Sequence, residues 1–391
     1  MHVLVVPSWY PTTEAPLRGI YFAEQAQILH DHGFKIGVVY PEQQSLRHLS
    51  WQALRTKHFQ TAWTSDRGLH TLRRYGWNVW WRLPPGMRLR VRHAVRLAHR
   101  YVDRRGVPDV IHAHSARWAG AATARMSDAF GVPYVLTEHF SGFQRDAVVP
   151  WRWPLVETGF RHAHGLAAVS SGLKDAIAKH GLAAPEDVAV HPNPVRTALF
   201  TPPPDERPAP PPFRVVTVTG LNDRKDVGTL LEAFAQAFRR LDAAVLKIVG
   251  DGPRREALEE QSRRLGTDSR VDFRGQLDRT AVREALWEAH AFVLPSRHET
   301  FGVALVEAMA TGLPVVATRC GGPEDIVTDE TGCLVPTNDP DALAEALRTM
   351  RDRWASYDPD RIRASVLDRY GPEPFVRRTQ SFYRRAREAS P

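Results

Sequence analysis

Residues 291–318 read A-F-V-L-P-S-R-H-E-T-F-G-V-A-L-V-E-A-M-A-T-G-L-P-V-V-A-T. Two short apolar runs, Ala291 to Pro295 and Pro314 to Thr318, have the pattern of buried strands. Val303 to Ala310 has helical composition, and Thr311-Gly312 ahead of Leu313-Pro314 is a helix stop. The stretch therefore predicts strand, loop, helix, strand. The loop falls at the C-terminal end of a strand, where open α/β sheets bind ligands.

The loop carries its own chemistry. Gly302 lets backbone approach a ligand closely. The N–H groups of Phe301, Gly302 and Val303 open the helix and make a seat for phosphate or sugar oxygens. Glu299 precedes the helix and Glu307 follows one turn in. An acidic side chain near a helix N-terminus offsets the helix dipole, which is reason enough for either residue alone. The pair flanking Phe301-Gly302 between two buried strands is more specific. It resembles the E-x7-E motif of family 4 retaining glycosyltransferases, which have the two-domain GT-B fold. The resemblance implies that Glu299 meets the sugar hydroxyls of a donor and Glu307 the ribose of its nucleotide. The backbone of Phe301, Gly302 and Val303 would hold donor oxygens.

Upstream, Phe213 to Thr219 predicts a strand, followed by G-L-N-D-R-K-D, a helix reaching Leu241 and a strand from Val245 to Val249. The family usually shows G-R-L-x-x-x-K-G here. Lys225 is in register, Asp226 replaces the second Gly, and Gly220 stands in place of the Arg. Arg224 beside Lys225 supplies a second charge. Two fixed cations at a leaving phosphate are preorganised stabilisation of about 3 kcal/mol each. Gly250 and Gly252, in G-D-G-P, match the family's G-x-G-P, where glycines let the chain pass the nucleotide. Arg274, within R-V-D-F-R-G, lies on the matching strand and turn that reads the base edge. Downstream, Gly321 to Glu324 opens a short helix, and Thr331 to Val335 resembles the family's last strand.

The first half repeats the alternation. Val3 to Val6 is a strand, a helix runs from about Ile20 to His32, and Phe34 to Tyr40 is the second strand. No G-x-G-x-x-G is present, so a dinucleotide fingerprint is excluded. Gly19 occupies the place of the family's Gly-Gly facing the donor diphosphate, as a single glycine after Arg18. Pro41 to Arg73 reads as loop and helix. Strands follow at Asp109 to His112, Pro133 to Thr137, His164 to Val169 and Val188 to His191. Between them lie helices from Arg117 to Phe130 and, capped by Ser171, through Lys179. His112 and His114 lack a third metal ligand and read as histidines at a strand end. His139 in T-E-H is similar to the family's T-x-H, where the His faces the donor sugar; it is a hydrogen-bond partner for sugar or acceptor. Glu138 orients it or caps the loop, and Ser141, Gly142 and Arg145 shape the acceptor side. Asn193 and Phe200 are in register with the family's N-G-V-D-x-x-x-F.

The organisation implied is α/β and GT-B: two doubly wound Rossmann-like domains facing a cleft. Residues 1–200 form the acceptor-side domain. Residues 201–212, T-P-P-P-D-E-R-P-A-P-P-P, are a semi-rigid linker. Residues 213–371 bind the nucleotide sugar, and residues 372–391 form a helix, anchored by Phe375, Phe382 and Tyr383, that crosses back to the first domain. The chain's 391 residues suffice for two cores. It has no run of eighteen apolar residues, and Met1 to Val6 is too short for a signal peptide. Cys320 and Cys333 form no metal or redox spacing, which suits a reducing cytoplasm.

A net charge of +8 points to anionic partners. It is concentrated in residues 73–105, where Arg88, Arg92, Arg96, Arg100 and Arg104 recur every fourth residue beside Trp77, Trp80 and Trp81. With Val91, Val95, Ala98 and Val102 as an apolar stripe, this is a surface helix with a solvated basic face. Read functionally, it is a segment meeting an anionic membrane surface. No nucleic-acid motif is present. The resemblance implies transfer of a sugar from a UDP- or GDP-sugar to a hydroxyl of a saccharide or lipid-linked glycan, with retention. It implies no bound cofactor, no metal, and a cytoplasmic enzyme peripheral on the inner face of the plasma membrane. The competing functions are a sugar-nucleotide epimerase or hydrolase of the same fold, and a non-catalytic nucleotide- or membrane-binding scaffold.

Overall fold

The structure, a computed structural model, describes residues 1–44, 50, 51, 55, 58–66, 68–77, 80, 83–238 and 244–389. Trp81 and the expected helix end at Leu241 lie outside the described residues. The chain divides into two compact units, Met1–Pro192 with Val376–Pro391, and Asn193–Phe375.

The first unit is built on eight strands. They are β1 (His2–Pro7), β2 (Lys35–Gln44), β3 (Thr61–Asp66), β4 (Leu69–Trp77), β5 (Val110–His114), β6 (Tyr134–Glu138), β7 (Gly165–Ala168) and β8 (Val188–Val190). Their order is β3-β4-β2-β1-β5-β6-β7-β8, and every neighbouring pair is parallel except β3 with β4. β1 and β5 are buried at every residue, as strands covered on both faces must be. The order turns at β1, which sends β2 to one side and β5 to the other, so a crevice opens beyond the ends of β1 and β5.

The second unit has six parallel strands, β9 (Phe213–Val218), β10 (Ala244–Val249), β11 (Val271–Gly275), β12 (Ala291–Leu294), β13 (Val315–Thr318) and β14 (Gly332–Val335). Their order is β11-β10-β9-β12-β13-β14. The switch lies between β9 and β12, so the loops after these two strands are neighbours in space. The Val303–Ala310 helix joins β12 to β13 as expected, and Leu305 to Ala310 are all buried. A helix buried around its circumference holds its first turn in one place.

The structure corrects several of these expectations. Most of the described residues between Pro41 and Arg73 are strand, because β2 runs on to Gln44 and β3 and β4 form an antiparallel ribbon. Polar residues hid it: Arg73 on β4 is buried, ion-paired with Glu42 at 2.9 Å and stacked over Tyr10 at 5.2 Å. The N-cap of the Ser171–Lys179 helix is Ser170, whose Oγ accepts from Leu173 N–H at 3.2 Å. The buried stripe of the Pro84–Arg105 helix is Met87, Val91, Ala94, Leu97, Ala98 and Tyr101, so Val95 and Val102 lie at its margin; the five ridge arginines are exposed. Residues 193–200 belong to the second unit. Val195 N–H donates to Tyr370 O at 2.8 Å, and Phe200 is fully buried under Arg279. The proline-rich 201–212 stretch also packs on that unit: Trp287 Nε1 donates to Thr201 O at 2.6 Å and Arg207 donates to Thr311 O at 2.7 Å. The last helix, Pro372–Glu388, enters the first unit from Val376. There Tyr383 is fully buried and Phe382 lies against Gly165, where a Cβ would come within 2.8 Å of its ring.

Candidate functional site

In the second unit the loops after β9, β10 and β12 converge. Gly250 adopts φ +138°, and a Cβ there would sit 1.8 Å from Thr219 O; one on Gly252 would sit 2.3 Å from Leu221 O. The glycines thus let the two loops pack backbone to backbone, and Gly220 lies exposed between them. Leu221 N–H donates to Asp251 O at 3.0 Å, and Gly250 N–H to Gly275 O at 2.8 Å, which ties in the end of β11. Arg274 stands apart from this convergence: its side chain is exposed and pairs with Asp272 at 3.2 Å.

Gly302 opens the Val303–Ala310 helix from a left-handed conformation at φ +107°, and Phe301 beside it is buried against Tyr370. The backbone of Glu299 pairs with the Cys320–Gly321 segment, Glu299 N–H donating to Cys320 O at 3.1 Å. Its carboxylate is buried and accepts from Ser296 Oγ at 3.0 Å and from Lys225 Nζ. Burial alone would raise the pKa of Glu299; the charge and hydrogen bond of Lys225, with Arg224 and Ser296 behind them, bring it below the usual carboxylate range. Arg224 extends toward the same loop, where its guanidinium donates to His298 O at 3.4 Å. Glu307 is buried and ion-paired with Arg279 at 2.6 Å, and Arg279 stacks over Phe200 at 4.9 Å. Asp226 occupies the family's glycine position at φ +47°, a conformation Asp tolerates better than most residues. Its carboxylate accepts from Arg297 at 3.0 Å and from Thr229 Oγ1 at 2.9 Å.

The first unit holds a separate cluster at the ends of β5 and β6. His112 is fixed between Tyr383 Oη at 2.7 Å and Thr137 Oγ1 at 2.9 Å. His114 Nδ1 and His139 Nε2 share a hydrogen bond of 3.2 Å, and Phe22 packs on both rings. His139 Nδ1 is buried with no partner among the described residues, so it presents one unused ring nitrogen. Burial, reinforced by neighbouring histidines, holds His112, His114 and His139 well below the usual histidine range, so all three are neutral near pH 7. Glu138 caps the loop: its oxygens accept from the N–H groups of Ala116 at 2.7 Å and of His139 and Phe140 at 2.8 Å. Gly19 opens the Ile20–Asp31 helix at φ +73°, with Trp9 so close that a Cβ would lie 2.7 Å from its carbonyl oxygen.

The second unit therefore brings together Glu299, Lys225, Arg224 and the Phe301–Val303 backbone, with Glu307 one turn further on. The first unit gathers His139 and Gly19. Sequence reasoning missed Arg279, which pairs with Glu307 across 28 positions, and Arg297, which pairs with Asp226 across 71. Neither spacing carries a local signal. Arg297 was within the decisive loop, but only the fold shows its partner.

Comparison with known proteins matches this architecture. The profile described as Glycosyltransferase Family 4 matches residues 18–199, and that of Glycosyl transferases group 1 matches residues 212–352. The chain belongs to this glycosyltransferase family. A glycogen synthase of Mycobacterium tuberculosis is 30% identical over 282 residues, 70% of this chain and 67% of that protein. A phosphatidylinositol N-acetylglucosaminyltransferase of Arabidopsis thaliana is 27% identical over 74% of this chain, which spans 65% of that relative's length. The putative teichuronic acid biosynthesis glycosyltransferase TuaC of Bacillus subtilis is 28% identical over 89% of this chain and 88% of its own. Among solved structures, the sucrose-phosphate synthase of Thermosynechococcus elongatus superposes with a TM-score of 0.76 at 20% identity, covering 100% of both chains. Anabaena HepE in complex with UDP gives 0.74 at 19% identity, covering 97% of this chain and 99% of its own. The fold is that of the GT-B glycosyltransferases.

Proposed function

We propose that the chain transfers a sugar from a nucleoside diphosphate sugar, UDP- or GDP-linked, to a hydroxyl of a saccharide or lipid-linked glycan, with retention at the anomeric carbon. The observation that carries this reading is the meeting of Lys225 and Glu299 just ahead of the helix that carries Glu307 in its second turn. Two segments, those after β9 and β12, thus supply a carboxylate for sugar hydroxyls, a cation for phosphate and a second carboxylate for ribose. In the reaction the bond from the anomeric carbon to the donor phosphate oxygen breaks. The acceptor oxygen bonds to that carbon, and its proton passes to the leaving phosphate. Lys225 and Arg224 hold the charge that accumulates on the phosphate, so the reading needs no metal or bound cofactor. His139 offers its unused nitrogen to a sugar or acceptor hydroxyl. The names of the relatives, from glycogen synthase to phosphatidylinositol N-acetylglucosaminyltransferase, accommodate both saccharide and lipid-linked acceptors.

Among the described residues no helix is long and apolar enough to cross a membrane. The exposed arginine ridge of the Pro84–Arg105 helix and Trp80, 58% exposed, support a peripheral station on an anionic cytoplasmic membrane surface. The test of the activity is product analysis with a panel of nucleotide sugars and acceptors, reading anomeric configuration by NMR in EDTA. An α-linked product from an α-linked donor supports transfer with retention. Turnover of the donor without any acceptor product favours the epimerase or hydrolase. Binding without turnover favours the scaffold.

A further inference from the structure

The first unit also gathers arginines beside aromatic rings. Arg117, just ahead of the Ala119–Phe130 helix, places its guanidinium 4.8 Å from the ring of Phe140 and 5.7 Å from that of Trp9. Arg90 of the Pro84–Arg105 helix lies 4.6 Å from the Trp118 ring and donates to Tyr40 Oη at 3.3 Å. Trp118 is itself fixed, its Nε1 donating to Ser8 O at 2.8 Å. Arg152 lies in the turn Pro150–Arg152. The Nε atoms of Arg90, Arg117 and Arg152 are all buried without an acceptor among the described residues, although the side chains remain half-buried overall. Arg18, exposed beside Gly19, adds a fourth charge.

The carboxylates that act on Arg117 and Arg90 among the described residues, Glu138 and Glu42, are already engaged. Glu138 accepts three backbone N–H groups, and Glu42 is paired with Arg73. Burial, with the charges of Arg152, Arg90 and Arg18 after it, pushes the Arg117 pKa down to about 10, so the group remains cationic near pH 7 while its charge is poorly solvated. Arg117, Arg90 and Arg152, each over an aromatic ring and each with a buried Nε–H lacking an acceptor among the described residues, together with the exposed charge of Arg18, have the chemistry that suits an oxyanion of double charge.

We propose that Arg117, Arg90, Arg152 and Arg18 bind a phosphate group carried by the acceptor. The acceptor assignment rests on the transfer reading above; the phosphate site itself does not. The group belongs either to a soluble phosphate ester or to a lipid headgroup.

The test is calorimetric titration of the full chain with orthophosphate and glucose 1-phosphate, and flotation with phosphatidylcholine vesicles with and without phosphatidic acid. Wild type is compared with R117Q, R117K, R90Q and K225A. Losing charge-assisted hydrogen bonds worth ~1.5–3 kcal/mol predicts roughly 10- to 100-fold weaker phosphate binding in R117Q. R117K keeps part of the affinity, and K225A keeps the Arg117-dependent binding. R117Q binds UDP as wild type does. Arg117-dependent binding of the soluble ester assigns a soluble source; Arg117-dependent binding of phosphatidic acid vesicles alone assigns a headgroup. The proposal is overturned if wild type binds none of these phosphates, or if R117Q and R90Q bind them all as tightly as wild type. Should R117Q fail to fold, R90Q and R117K carry the comparison. Nucleotide binding without phosphate binding sinks this proposal and leaves transfer standing; phosphate binding without nucleotide binding does the reverse.

Discussion

Lys225→Met is the perturbation that most directly interrogates the donor segment. In the folded chain the Lys225 and Glu299 side chains are 16% and 9% exposed. Removing one partner of a buried pair costs ~3–5 kcal/mol, because the other charge stays desolvated. Glu299 keeps the Ser296 hydroxyl at 3.0 Å and the nearby charge of Arg224, so the low end, about 3 kcal/mol, is expected. At ~2–4 °C per kcal/mol for a unit of this size, the second unit should melt roughly 6–12 °C earlier. The loss should depend on pH in a defined direction. Glu299 has a folded pKa below its unfolded one, so its pairing stabilises the chain above the ordinary carboxylate range and is lost as pH falls through the folded value. Without Lys225 burial is less opposed, the Glu299 pKa rises, and wild type and variant converge in acid. Differential scanning calorimetry on Lys225→Met, Glu299→Gln and the double variant measures the coupling. A double variant more stable than Lys225→Met alone fits the argument. Equal melting of Lys225→Met and wild type at pH 7, or zero coupling, would refute it.

Other parts of the chain yield predictions of their own. His191 is buried and its pKa is lowered to about 4, so the unfolded chain binds more protons between there and the ordinary histidine value; stability should fall as pH drops through that window. His191→Gln should flatten the slope by up to about 3 kcal/mol across it in urea titrations, and an unchanged slope would count against the assignment. Gly250→Ala brings a Cβ to 1.8 Å from Thr219 O at φ +138°, so the loops must separate; a loss of more than about 2 kcal/mol in stability is expected, and wild-type melting would contradict the packing. Asp226→Ala loses the bonds to Arg297 and Thr229 while keeping the left-handed strain, whereas Asp226→Gly loses the bonds but also relieves the strain. Asp226→Gly should therefore melt above Asp226→Ala, by an amount reflecting ~1 kcal/mol, and the opposite order would sink that account.

The sequence was most legible where hydrophobic pattern and glycine chemistry agreed. β12, the Val303–Ala310 helix and β13 appear where their apolar runs and the Thr311-Gly312 stop put them. Glu299 and Lys225 were readable separately, and the fold joins them across 74 positions. The β3–β4 ribbon was not readable. Its buried Thr71 and Arg73 interrupt the apolar alternation, and the Arg73 charge pairs with Glu42 on a different strand. Arg279 and the arginines around Trp9, Phe140 and Trp118 were hidden for the same reason. A basic residue in a sequence gives no sign of whether water, a carboxylate or an aromatic ring will surround it. Ser170 instead of Ser171 as N-cap shows the limit of local signals, since two adjacent serines satisfy the same rule and only the backbone geometry separates them.

The measurement that bears most directly on the central claim is calorimetric titration with UDP-, GDP-, ADP- and TDP-sugars in EDTA, on wild type and on Glu307→Ala. The account predicts that one nucleotide class binds wild type without metal, adds roughly 2.7 kcal/mol of stability at a hundred times its dissociation constant, and loses at least about tenfold in affinity in Glu307→Ala. Binding of every nucleotide sugar to Glu307→Ala as tightly as to wild type, or to neither protein, would contradict it.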